Sequence, residues 1–231
     1  SNKKFERSHK DKLLINYKSP DAFEEIFWSH YLEDYKKKVF KKILDEKYEN
    51  KKLEFFLDIN IKKIIFVRRK IPFYISKNNY SLFRLKYLLK LHPGTKFLVC
   101  IRNPIHQCYS AAKTDLRFYN QNVINKKFFY ETDFLCHFEF GYNKKSLKNY
   151  DSENNNYSSL INSYIFYLKE WIFFYQFFLD NYYKDEKIKD KILLIDYDNF
   201  VLKKNEYLKK IFNFCNLEIE KKNIDYLQTI K

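Results

Sequence analysis

Glycine occurs only twice in these 231 residues, proline four times, and methionine not at all. Two glycines exclude collagen-like and flexible-linker chains, and they leave few backbone positions suited to positive φ. No Gly/Ser/Pro-rich stretch divides the chain, so residues 1–231 read as a single domain. Long apolar runs are missing too. No stretch approaches the roughly 20 apolar residues of a membrane-spanning helix, and the most apolar region, 165–179, is cut by Lys169, Glu170 and Gln176. Residues 1–5 carry no apolar core of a signal peptide. The four cysteines, Cys100, Cys108, Cys136 and Cys215, form no CxxC pair, so no metal site is expected on them. Cys100 lies in an apolar run and Cys215 on an apolar helical face. Both read as small buried hydrophobes, which suits a reducing compartment and a cytoplasmic protein, or a Golgi-lumen one if a membrane anchor has been removed.

Aromatic residues make up 20% of the chain and hydrophobic residues 45%, enough for a core. Lys and Arg number 44 against 29 Asp and Glu, a formal charge of +15. Such a charge favours anionic partners. The basic residues are scattered, however, and no nucleic-acid motif frames them. Nucleic acid is therefore not expected as the partner.

Hydrophobic spacing outlines an α/β chain. Ser19-Pro20-Asp21 reads as a helix start, and apolar residues at helical spacing extend that helix to about Leu44. Residues 63–67 (KIIFV) read as a strand. Leu82, Leu85, Leu88 and Leu89 mark a helix over 80–91, which His92-Pro93-Gly94 stops. Residues 97–101 (FLVCI) form a continuous apolar run, as expected of a strand inside a parallel sheet covered on both faces. A helix follows Arg102-Asn103-Pro104 through Lys113. Residues 118–159 read as an irregular insertion with room for short helices. An aromatic, largely buried helix covers 160–183, a strand 192–195, and a last helix 205–215. Strands alternating with helices predict a three-layer sandwich with a central parallel sheet flanked by helices.

The chemistry concentrates in 77–110. Arg102 falls at the carboxyl end of a strand, where open α/β sheets bind ligands. Asn103 suits the cap of the next helix and Pro104 its first position. An anion beside Arg102 would meet that helix's free N–H groups and positive end. Ser110, eight residues past the arginine, lies two turns along. A guanidinium fork with a hydroxyl suits a phosphate monoester.

This stretch resembles the sulfotransferase family, which has a Phe-Pro-x-Ala-Lys-Phe-like turn and strand, Arg-Asp-Pro, and a serine eight residues past the arginine. The resemblance implies a P-loop NTPase-like fold and the donor 3′-phosphoadenosine 5′-phosphosulfate (PAPS), leaving PAP as product, with no metal. It implies that Arg102 and Ser110 bind the donor's 3′-phosphate. Lys77 stands where the family has Lys-Ser/Thr-Pro, a lysine that approaches the bridging oxygen of the transferred group, and so becomes the catalytic candidate. Trp171 and Tyr197-Asp198-Asn199-Phe200 are similar to the family's buried Trp and Tyr-Glu-Asp-Leu-like turn. In all the resemblance spans 15–215, strongest at 77–113.

Departures accompany it. Asn103 replaces an Asp, Asn78 replaces Ser/Thr, and the proline after it is missing. Neither Gly94 nor Gly141 sits in a phosphosulfate-binding loop, so the chain is expected to be incomplete at both ends. The acceptor, a hydroxyl or amine on a small molecule or glycan, would be shaped by 118–159. No residue stands out as the base that takes the acceptor's proton. His106 is a weak candidate, and Glu24 and Glu25 read as first-turn helix acids. The alternative is a non-catalytic nucleotide-binding or interaction protein on the same scaffold. A P-loop kinase and a basic nucleic-acid binder fit less well.

Overall fold

A computed structural model describes residues 4–6, 14–16, 24–32, 43–68, 73–136, 138–142, 144–147 and 159–229. In chain order the elements are β1 (Phe5–Glu6), β2 (Leu14–Ile15), α1 (Glu24–Tyr31) and α2 (Lys51–Arg68). A 3-10 turn over Ser81–Arg84 then runs into α3 (Leu85–Leu91), followed by β3 (Phe97–Ile101), α4 (Pro104–Ile124) and α5 (Lys126–Phe134). The rest is α6 (Leu160–Phe178), extended by a π-helical turn to Tyr183, then β4 (Ile192–Asp196), α7 (Tyr197–Leu202), α8 (Lys204–Cys215) and α9 (Lys221–Thr229). Strands β1 and β2 pair antiparallel, and β3 and β4 pair parallel, with Phe97 opposite Ile192 and Ile101 opposite Asp196.

Two apolar clusters hold these elements. One joins Trp28, Leu32, Leu44, Leu53, Leu57, Tyr87, Cys136 and Phe138, drawn from α1 and its end, the segment before α2, α2, α3 and the segment after α5. The other seats the parallel pair: Leu82 and Leu85 pack with Val99 of β3 and with Phe178, Tyr182 and Ile188.

The expected strand at 63–67 is instead the last part of α2. Asn50 starts that helix: its side chain accepts from Leu53 N at 3.0 Å, and Glu54 reaches back to Asn50 N at 3.3 Å. Leu53 and Leu57 are then buried one turn apart. The penalty for β-branched residues in a helix is under about 1 kcal/mol each, and the described residues offer no strand beside 63–67 to pair with. Of the helix expected to run to Leu44, 24–31 is helical. Its start at Ser19-Pro20-Asp21 and residues 33–42 lie outside the described residues, and Leu44 is a buried non-helical residue. The segment expected to be irregular begins as helix, with 118–124 inside α4 and 126–134 forming α5.

Burial also differs from the expectation. In α6 only Ser163, Tyr175 and Phe178 are fully buried, while Ile161, Ile165 and Ile172 are exposed. Likewise β3 is covered on one face: Val99 is buried, whereas Leu98 and Cys100 are exposed. Cys215 is half-buried rather than buried.

The segment 138–147 is tied down by polar groups. Asp115, on the buried row of α4, accepts from Gly141 N at 2.7 Å and from Ser163 Oγ of α6 at 2.8 Å, and it pairs with the Lys144 ammonium. Lys144 and Asp115 side chains are 0% and 1% exposed. Burial pulls the Lys144 ammonium below its usual range, against the opposing pull of Asp115. Gly141 has φ +82°, and a Cβ there would stand 2.3 Å from Asn122 Oδ1. That oxygen accepts from Tyr142 N at 3.2 Å. Farther along α6, Glu170 accepts from Ser146 Oγ and Leu147 N, each at 2.7 Å. Burial pushes its carboxyl up to about 7, against those two bonds and the attraction of Lys144.

Two outcomes follow for stability. Asp115→Ala leaves a buried ammonium and two donors without their partner, and it is expected to lower unfolding free energy by about 3–5 kcal/mol in urea titrations. For Glu170 the native carboxyl holds its proton to higher pH than the unfolded one. Its contribution is therefore full below about 4.5 and is lost as pH rises through about 7. Glu170→Gln, which imitates the protonated form, should flatten the decline in melting temperature across that window. A variant whose melting curve parallels the parent from pH 4.5 to 8 would contradict this.

Candidate functional site at the carboxyl end of the parallel strands

Strand β3 ends at Ile101, and the turn into α4 forms as its residue types dictate. The Asn103 side chain accepts from Ile105 N at 2.9 Å and Pro104 takes the first helical position. β4 ends level with β3, and Asp196 caps α7 by accepting from Asn199 N at 3.0 Å. Those bonds to Asn199 hold the Asp196 carboxyl below its usual range. Parallel pairing thus brings two helix N-termini to one end of the sheet.

Arg102 lies between them. Its guanidinium stands over the Tyr197 ring at 4.8 Å, and its Nε is 4.0 Å from Asp198 Oδ1. The other Asp198 oxygen accepts from Asn103 N at 3.1 Å. About a third of the Arg102 side chain reaches solvent. Ser110 is exposed on the outer row of α4, opposite the buried Cys108 and Ala112. Its carbonyl accepts from Thr114 Oγ1 at 3.0 Å. His106, one turn earlier on that row, is exposed as well.

Behind β3, Tyr175 of α6 donates to the Cys100 carbonyl at 2.7 Å, and burial pushes its phenol up to about 12. Trp171, half-buried one turn before, rests on the Tyr175 ring at 4.5 Å.

Lys77 belongs to the 73–80 loop. The helical segment 81–91 folds back on β3 through a short turn, with Leu82 and Leu85 against Val99. The Lys77 side chain is exposed. Its neighbours are anchored: Tyr74 donates to Glu24, Asn78 Nδ2 donates to Glu25 Oε1 at 2.5 Å, and Asn79 Nδ2 donates to Glu139 Oε1 at 3.0 Å. Tyr80, buried at the loop's end, is held well above its usual range by burial and by the nearby Glu139, Glu25 and Glu170 carboxylates.

The strand end before Arg102 and the cap formed by Asn103 and Pro104 are as the sequence predicts, because both are decided by near neighbours. By its position in the sequence Glu25 reads as a first-turn helix acid. That residue sits in the first turn of α1, but it also holds the Arg84 guanidinium through two bonds of 3.0 and 3.2 Å. Arg84 lies 59 positions away. Nothing in the local pattern signals such a pair, nor the Asp198 carboxylate beside Arg102.

The chain matches the sulfotransferase family model over residues 6–148. No match is found among curated proteins, nor among solved structures. The matched span includes Lys77, Arg102 and Ser110 and covers more than half of the sequence, and the protein belongs to the sulfotransferase family.

Proposed function

We propose that this sulfotransferase-family protein moves a sulfuryl group from PAPS to a hydroxyl or amine acceptor. One observation carries the reading: Arg102 leaves the carboxyl end of β3 immediately before a capped helix whose outer row bears Ser110. These groups suit the donor's 3′-phosphate. A guanidinium presents a planar fork to phosphate oxygens, the positive end of α4 favours an anion, and the Ser110 hydroxyl adds a donor. The 4.0 Å pairing with Asp198 is long and half-exposed, so a doubly charged phosphate competes well for Arg102.

When bound, the donor supplies the sulfuryl group already attached to a phosphate leaving group. The chain's own part is placement and charge. Arg102 and Ser110 hold the nucleotide at the sheet end, and the Lys77 ammonium meets charge that develops on the leaving phosphate, which departs within PAP. Among the described residues no cluster of His, Cys, Asp and Glu is placed to hold a metal ion. The acceptor is a small molecule or a glycan, bordered by the 118–159 segment. The charge of +15 suits an anionic one. A three-layer parallel-sheet scaffold over 1–231 is part of this reading, and the parallel pairing of β3 with β4 is what supports it. No described helix is long and apolar enough to cross a membrane. A cytoplasmic location is part of this reading.

A second reading, nucleotide binding without transfer, is favoured by one feature. Neither glycine serves a phosphate-cradling loop: the Gly141 N–H is spent on Asp115, and Gly94 sits in the turn before β3.

Calorimetry with PAP separates these readings from a failed assignment. The parent should bind. Arg102→Ala should weaken binding by about 1.5–3 kcal/mol, the worth of a hydrogen bond to a charged group. Ser110→Ala should cost about 1 kcal/mol. Binding indifferent to Arg102→Ala removes the nucleotide assignment. Binding without PAP release from PAPS, tested with phenol and glycosaminoglycan acceptors, selects the second reading.

A further inference from the structure

The 73–80 loop lacks the proline that the family's lysine motif carries two residues after the lysine, yet its backbone is constrained. Asn78 does the constraining through both ends of its amide. The oxygen accepts from Tyr80 N at 2.7 Å, closing an Asx turn over 78–80. The nitrogen donates to Glu25 Oε1 at 2.5 Å. Reversing the amide would set its NH2 against the Tyr80 N–H and its oxygen against a carboxylate, so only this orientation satisfies both partners.

The anchor at Glu25 is rigid. Both of its oxygens are taken by Arg84, at 3.0 and 3.2 Å, and the two side chains are 13% and 3% exposed. Arg84 is further fixed over the Trp28 ring at 4.4 Å, and Trp28 belongs to the core that joins α1, α2 and α3. A bidentate guanidinium–carboxylate pair has one geometry. An unbroken series therefore runs from the core through Trp28, Arg84 and Glu25 to Asn78, the residue that follows Lys77. On the far side Asn79 is held by Glu139 at 3.0 Å.

We infer that Asn78, tethered to the Glu25–Arg84 pair, is a positioning residue that aims the Lys77 ammonium at the donor. The inference rests on the reading of Lys77 given above and assigns Asn78 no contact with the donor. The Lys77 side chain itself is exposed, and it carries four rotatable carbons with high rotamer entropy. Fixing its backbone is the route by which the fold can limit where the ammonium goes. Misplacing a catalytic group by about 1 Å costs on the order of 100-fold in rate.

The test is a double-mutant cycle on the full chain with Lys77→Ala, Asn78→Ala and the pair. Turnover is read as PAP release from PAPS with water as acceptor, and PAP affinity by calorimetry. Asn78→Ala should lower kcat by about 10- to 100-fold while PAP affinity stays within about twofold, because Arg102 and Ser110 are untouched. Adding it to Lys77→Ala should cause no further loss, since a residue that acts through the lysine has nothing left to position. A readout independent of turnover is acetylation of Lys77 by an N-hydroxysuccinimide ester, followed by peptide mass spectrometry. PAP should slow it in the parent and fail to slow it in Asn78→Ala.

Undiminished kcat and full protection in Asn78→Ala, with Lys77→Ala inactive, would overturn the inference and leave the reading of Lys77 standing. Losses that multiply in the double variant would also overturn it. If Lys77→Ala turns over normally, or PAP never shields Lys77 in the parent, the catalytic reading falls and takes the inference with it. Asn78→Ser provides a second variant if Asn78→Ala unfolds. Its hydroxyl can accept from Tyr80 N but has no amide to reach Glu25, so the same losses should appear.

Discussion

The parallel pairing of β3 with β4 is the constraint on which the site depends. With Ile101 level with Asp196, the two strands release their next residues side by side. Arg102 and Asn103 then meet Tyr197 and Asp198, and the N-termini of α4 and α7 open at the same end. Parallel strands send their carboxyl ends in one direction, and each following helix begins with unsatisfied N–H groups. A slip of one residue in this register would turn Val99, now in the core, toward the exposed face.

Around that pair the fold depends on a few buried charges, each matched by an opposite one. Glu25–Arg84 fixes α1 to the start of the 81–91 segment, and Asp115–Lys144 fixes the 138–147 segment to α4 and α6. Pairs of this kind add little net stability over apolar replacements, but removing one partner strands the other in a medium that cannot solvate it. They serve here as locating devices. Glu25 also holds Asn78 of the 73–80 loop and Asp115 also holds Gly141, so each pair ties a non-helical segment to the helices.

Much of the site was legible in the residues themselves. Asn103-Pro104 after an apolar run reads as a strand end and a helix cap, and both are present because capping needs only the next three residues. The 80–91 helix, the 192–195 strand and the 205–215 helix follow apolar spacing in the same way. The 63–67 run misled because four apolar residues in sequence fit a strand and a helix equally well. Asn50, thirteen positions upstream, had already committed the backbone to α2. The aromatic helix α6 misled on burial for another reason. Composition states how apolar a helix is, but not which neighbours are present to cover it, and Ile161, Ile165 and Ile172 remain exposed.

By itself, then, the amino-acid order determined the α/β alternation, the strand–Arg–Asn–Pro turn and the helical row holding Ser110, since these depend on contacts within a turn or two of chain. Only tertiary structure decided that Asn78 would be gripped by Glu25, that Asp198 would stand beside Arg102, and that Glu170 would keep its proton to about 7. Those outcomes depend on desolvation and on partners 23 to 96 positions apart. Neither quantity exists until the chain has folded back on itself.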